Sequence, residues 1–190
     1  MGQTASGASA RERLLAGAIA HVSQHGVGEI SLRQLAAALG TSHRMLLYHF
    51  GSREALLIEV IRTVEEQQRA ALAQILEEEA DAPPQEIMRR MWARVADPAL
   101  WPNERLFFEV YAQALQGSPH ALPLLDGIVD AWVEPLARLM APERPPEEAR
   151  AEARLGVAVV RGLLLDLLAT GDREAVDAAM ERYIAAIAPD

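Results

Sequence analysis

The 190-residue chain contains no cysteine, and all 18 of its basic residues are arginine, because lysine is missing as well. Without cysteine there are no disulfides, no thiolate nucleophiles and no Cys-ligated zinc. Its absence fits a reducing compartment, and a cytoplasmic location is expected. Without lysine, Schiff-base catalysis and a phosphate-cradling P-loop are excluded. No HExxH, GxSxG or dinucleotide fingerprint occurs either, so no enzymatic activity and no cofactor are expected. His21 and His25 stand four apart, a spacing that could bind metal. No acidic or thiol partner lies near them, so they read as solvated helix-end residues and no metal is expected. Long apolar runs are also scarce. The nearest approach to the ~18 residues of a membrane span is Leu155 to Ala169, which Arg161 and Asp166 interrupt. Met1 to Ser6 fits a myristoylation pattern, but the expected reading of residues 1–10 is a flexible, small-residue tail.

What is present is an apolar fraction of 51%, enough for a core, and a net charge of −9. That charge is unevenly placed. Residues 1–53 carry +3 and the rest carries −12, and four of the five histidines lie in the basic part. Local field decides where a polyanion docks, so an acidic body would turn the basic head toward nucleic acid.

Helical signals recur and strand signals do not, so an all-α chain of about nine helices is expected. The first helix spans about Ala10 to His25 and stops at Gly26. Ser31-Leu32-Arg33-Gln34 is a capping box, and Leu32, Leu35, Ala36 and Leu39 form a buried stripe behind it. Gly40 ends that helix. A third runs from Thr41 or Ser42 to Phe50. A fourth, capped by Ser52, reaches toward Ala80. Pro83-Pro84 and Asp97-Pro98 bound a fifth, and a sixth covers about Leu100 to Gln116. A seventh is expected from Leu122 to Met140, bent at Pro123 and Pro135. After the break at Pro142 come an eighth, about Glu147 to Thr170, and a last one opened by Gly171-Asp172.

Two short helices can cross steeply when the first has a small residue at the crossing, the turn tolerates positive φ and the second has an inward anchor. Ala36, Gly40 and Leu46 meet these needs, the spacing of a helix-turn-helix. Thr41, Ser42, His43, Arg44, Tyr48 and His49 then form a dense outward run of donors and cations, suited to phosphates and base edges. The stretch from Gly28 to Ser42, with Ser31-Leu32-Arg33-Gln34-Leu35-Ala36 and Gly40-Thr41-Ser42, leads into Leu46 to Leu56, with Tyr48-His49-Phe50, Ser52, Arg53, Glu54 and Leu56. This resembles the N-terminal domain of TetR-family transcriptional regulators, over about residues 11 to 60. The resemblance implies that Ser31 and Arg33 meet a phosphate, and that Thr41, Ser42, His43 and Arg44 enter the major groove. It also implies backbone contacts from Tyr48 and His49, a phosphate on Arg53, and Phe50 in the core. Each role has a blander counterpart. Ser31 as a cap, Tyr48 in the core and His43 as a surface residue would account for those three, and Arg44 could meet a guanine or a phosphate. Leu47 departs from the family, which often has a DNA-touching tyrosine there.

The resemblance implies three parts: the tail, a DNA-binding domain at 11–53, and a ligand-binding and dimerisation domain at 54–190. In the last two helices, Leu155, Val159, Leu163, Leu167, Val176, Met180, Tyr183, Ile184 and Ile187 form apolar stripes that pack within the chain or against a second copy. The resemblance favours a homodimer reading a palindrome in double-stranded DNA. Met88, Trp92, Trp101, Phe107, Phe108, Tyr111 and Trp132 cluster mid-chain, either as core or as the wall of a cavity for a small apolar or aromatic effector, with Glu104, Arg105, Glu109 and Gln113 as polar candidates. The whole reads as a ligand-responsive repressor released by its effector. The competing reading is a helical ligand-binding or scaffolding dimer without specific DNA readout.

Overall fold

The computed structural model describes residues 9–25, 31–78, 82–140 and 144–187. Among them every regular element is helical: α1 (Ala10–His25), α2 (Leu32–Ala38), α3 (His43–Phe50), α4 (Arg53–Glu78), α5 (Pro84–Val95), α6 (Trp101–Leu115), α7 (Asp130–Met140), α8 (Pro146–Thr170) and α9 (Arg173–Ala186), with 3-10 turns at Pro98–Leu100 and Leu122–Leu125. The all-α expectation holds. Most of the tail, Gly26, Ala80 and Pro142 lie outside the described residues. The expected seventh helix is corrected. Its first part is the short 3-10 turn, and the α-helix begins only at Asp130. Gly127, at φ 68°, sits between them in a left-handed conformation that a helix cannot contain.

The chain forms two compact units, Met1–Val64 with Pro102–Pro123, and Glu65–Trp101 with Leu124–Asp190. In the first, Ala18 and Val22 of α1, Leu35 and Ala36 of α2, and Leu46 and Phe50 of α3 are buried, as are Leu56, Val60 and Ile61 of α4. Leu106, Phe107 and Val110 of α6 are buried in the same unit. A Cβ on Gly17 would come within 2.8 Å of Leu39 Cδ2, so α1 and the end of α2 approach closely there. Asn103 of α6 is buried, and its Nδ2 donates to Ser23 Oγ of α1 at 2.8 Å. The Asn103 Oδ1 is left without a partner.

In the second unit Leu72, Trp132, Val133, Ala137, Ala153 and Val157 form one apolar cluster. The α8–α9 turn is closed at both ends. Gly171, at φ 71°, caps α8 and donates to Leu167 O, and the Asp172 side chain accepts from Ala175 N. Arg89 of α5 makes an ion pair with Glu181 of α9 at 2.9 Å, and Arg150 of α8 pairs with Glu134 and Asp130 of α7. Such exposed pairs contribute little to stability each.

Candidate nucleic-acid interface

The turn between α2 and α3 is held by backbone hydrogen bonds at both ends. Ser31, in extended backbone, accepts from Gln34 N while the Gln34 side chain accepts from Ser31 N, which completes the capping box. At the other end Thr41 N donates to Ala36 O at 2.9 Å and Gly40 N to Ala37 O at 3.1 Å, with Gly40 at φ 64°. This is a Schellman closure. One residue later Ser42 caps α3, its Oγ accepting from Met45 N at 3.2 Å. The reversal therefore occupies only a few residues, and Ala36 and the fully buried Leu46 pack the pair together.

The far end of α3 is tied down by Arg11 of α1. Its guanidinium pairs with Glu59 of α4, donates to the His49 carbonyl at 3.4 Å and lies 5.1 Å from the centre of the Phe50 ring. Gly51, at φ 80°, then breaks the helix, and Ser52 Oγ accepts from Ala55 N at 3.0 Å to start α4. One arginine thus bridges three helices and fixes the angle at which α3 is presented.

With Leu46 and Phe50 inward, α3 turns Arg44, Met45, Leu47 and Tyr48 outward, Tyr48 at 79% exposure. Ser42 is exposed, and Thr41 and His43 are half-buried at the helix start. The expected reading residues are therefore brought together at one end of one helix. Ser31 and Arg33 are exposed at the start of α2, but the Ser31 hydroxyl is already engaged with Gln34. His49 departs from its expected place. Its Nε2 is buried without a partner and its ring packs against Tyr48, so Tyr48 is the outward member of that pair. Arg53, half-buried, lines a cavity of about 180 Å³ with Glu54, Leu57, Glu109, Val110, Gln113, His120 and Ala121. Glu109 and Gln113, named from the sequence as polar candidates, thus face residues of α4 and the segment after the Gly117-Ser118-Pro119 break.

The mid-chain aromatics are divided between the two units. Phe107, Phe108 and Tyr111 belong to the first unit, where Phe107 stacks on Tyr111 at 5.3 Å. Met88, Trp92, Trp101 and Trp132 belong to the second. Each tryptophan N–H there has an acceptor: Trp92 donates to Asp177 at 2.6 Å, Trp101 to Ala96 O at 3.2 Å and Trp132 to Glu65 at 2.6 Å. Burial pushes the Glu65 carboxyl above the ordinary range, against the opposing effects of the Trp132 hydrogen bond and of Arg161 and Arg69. The Arg69 guanidinium lies 5.9 Å from the Trp132 ring centre. This buried indole–carboxylate pair has no counterpart in sequence spacing, since α4 and α7 supply one residue each.

The expected interface residues also divide. Leu167, Val176, Met180 and Ile184 are 0–3% exposed inside the chain's own core, so they face no partner, and that part of the expectation is corrected. Leu155 is exposed and Val159, Leu163, Tyr183 and Ile187 are half-buried. Tyr183 is held above its ordinary pKa by burial and then by Glu152. Among the described residues no group of three metal-ligating side chains converges, and His21 and His25 stack on each other at 4.5 Å.

A capped helix pair that presents a polar helix end is the geometry of a DNA-binding helix-turn-helix. Residues 14–60 match the model of bacterial regulatory proteins of the tetR family. Regulators of this family are ligand-responsive DNA-binding proteins, usually repressors. No curated protein matches the chain. Among solved structures it is similar to a transcriptional regulator from Rhodococcus sp. Rha1, with a TM-score of 0.76 and 21% identity over 94% of this chain and 96% of that one. It is also similar to a TetR transcriptional regulator from Legionella pneumophila, with a TM-score of 0.73 and 19% identity over 97% of this chain and 100% of that one. The multidrug binding protein EbrR, solved with imidazole, matches at a TM-score of 0.66 and 24% identity over 97% of both chains. These likenesses show a shared fold.

Proposed function

We propose that the chain is a ligand-responsive repressor that binds a palindromic operator as a homodimer. The observation that carries this reading is the outward face of α3, with Arg44 and Tyr48 exposed on a helix locked at both ends by Ser42 and Arg11. Residues 11–53 act as the reading head and 54–190 as the body that binds effector and partner. Ser42, His43 and Arg44 reach base edges, while Arg33, Tyr48 and Arg53 hold the sugar-phosphate backbone. The exposed strip of Leu155, Ala158, Gly162, Leu165 and Ala169 on α8 supports a two-fold contact between copies. Two heads then sit about 34–36 Å apart, one turn of duplex. The effector is a small apolar or aromatic molecule. The Trp132–Glu65 pair within an apolar cluster supports a site in the second unit, where one polar anchor would orient it. Binding shifts the body between two states that space the heads differently.

Selection of preferred duplexes from genomic fragments tests the reading. A short palindrome should be enriched, and its affinity should fall by about 10³–10⁵ between 50 and 200 mM salt if 6–10 phosphates are neutralised. No sequence preference would leave the scaffolding alternative standing. Arg44→Ala should relax preference at one base pair, by about 1–3 kcal/mol, whereas Arg53→Ala should weaken all duplexes alike. Equal losses on operator and random DNA for Arg44→Ala would reassign Arg44 to a phosphate.

A further inference from the structure

Two large apolar side chains lie on the outer face of α3, Met45 at 40% and Leu47 at 38% exposure. The buried side chains of the helix are Leu46 and Phe50, and neither Met45 nor Leu47 belongs to that buried set. At 100° per residue, Leu47 lies about 40° from His43 and about 60° from Arg44 around the helix. It therefore shares the band of the face that carries the first-turn reading residues. Met45 falls on the opposite flank, beyond Tyr48.

We infer that Leu47 reads the C5-methyl group of a pyrimidine in each operator half-site. The inference rests on the DNA-binding reading proposed above. The floor of a major groove is lined by polar base edges and its walls by charged phosphates. The apolar group it offers is the C5-methyl, which thymine carries and cytosine does not. An isobutyl side chain has no donor for a phosphate. Pressed against one, it would strip water from a charge and return no hydrogen bond. Against a methyl it removes apolar surface from water on both sides. Leu47 thereby adds sequence information at a second base beside the one that Arg44 reads. 5-Methylcytosine presents the same methyl at the same place, so a thymine and a methylated cytosine are two sources of one recognised group.

The test starts from the preferred duplex. Each thymine is replaced in turn by deoxyuridine, which lacks only the methyl, and affinity is measured for the unmodified chain, Leu47→Ala and Met45→Ala. One position per half-site should weaken about fourfold for the unmodified chain, the effect of one buried methyl. Leu47→Ala should bind the two duplexes alike, and Met45→Ala should keep the difference. Placing cytosine or 5-methylcytosine at that position separates the sources. A Leu47-dependent gain from methylation shows that either methyl serves, and a gain seen only with thymine assigns the contact to thymine alone. If no deoxyuridine costs affinity, or the cost persists in Leu47→Ala, the inference is overturned while operator binding stands. If no preferred duplex exists, the DNA reading itself falls and takes this inference with it. Leu47 lies outside the buried core, and unchanged helical content of Leu47→Ala by circular dichroism checks that the fold is kept.

Discussion

Glu65 is a carboxylate in the wrong solvent. It is mostly buried, it accepts from Trp132 Nε1, and burial raises its pKa despite Arg161 and Arg69. A folded-state pKa raised above the unfolded one means that the native chain holds more protons in the interval between them. Stability from this group is then complete below the ordinary carboxylate range and is lost as pH rises through the raised value. Glu65→Gln keeps an acceptor for the indole and removes the buried charge. Melting temperature measured across pH should be higher for the variant near neutrality, with the gap closing on acidification. A lower melting temperature at neutral pH would mean that the arginines outweigh burial. Leu46 is a simpler case. It is fully buried at the crossing of α2 and α3, so Leu46→Ala should cost about 2–5 kcal/mol in chemical denaturation. Ser31→Ala, which removes one half of a capping box, should cost about 1 kcal/mol.

At the scale of elements, the α2–α3 turn is constrained at both ends. Gly40 at φ 64° lets two amides find carbonyls in the last turn of α2, and Ser42 begins α3 at once. Gly40→Ala puts a Cβ into a left-handed backbone, which costs roughly 1–2 kcal/mol. The Cβ meets no neighbour there, so the penalty is conformational and not steric. Thermal unfolding should record that modest loss with the fold retained, and a loss of several kcal/mol would point to a packing role. These features were legible in the sequence because caps and glycine turns act over three to six residues. The seventh helix was misread for the complementary reason. Its apolar spacing continues through Leu122–Leu125, and a four-residue turn at 126–129, with Gly127 left-handed, separates the 3-10 turn from α7.

For the whole molecule the question is what covers α8. Leu155 and Leu165 are 55% and 50% exposed on a face otherwise made of alanine and glycine, which lets another helix approach closely. Leu155→Arg should convert a dimer to monomers in sedimentation velocity, and it should weaken palindrome binding far more than half-site binding, because two linked heads gain from effective concentration. Monomeric behaviour of the unmodified chain at micromolar concentration would argue against the two-fold contact. The charge division works at the same scale. Residues 1–53 carry +3 and the remainder −12, and this asymmetry, which favours a polyanion at the basic end, is open to reading from composition.

The sequence by itself determined the all-helical class, the helix-turn-helix with its caps and turn, and the band of residues at the start of α3. Local hydrogen bonding and helical periodicity specify these without reference to the rest of the chain. Tertiary structure decided which apolar residues face inward. Leu167, Val176, Met180 and Ile184 are core, while Leu155 remains outside. It also divided the seven mid-chain candidates between two units, joined Glu65 to Trp132 across 67 positions and brought Glu109 beside His120 and Arg53. Periodicity states that a helix has an apolar side, but only the packing of distant helices determines how much of that side is covered.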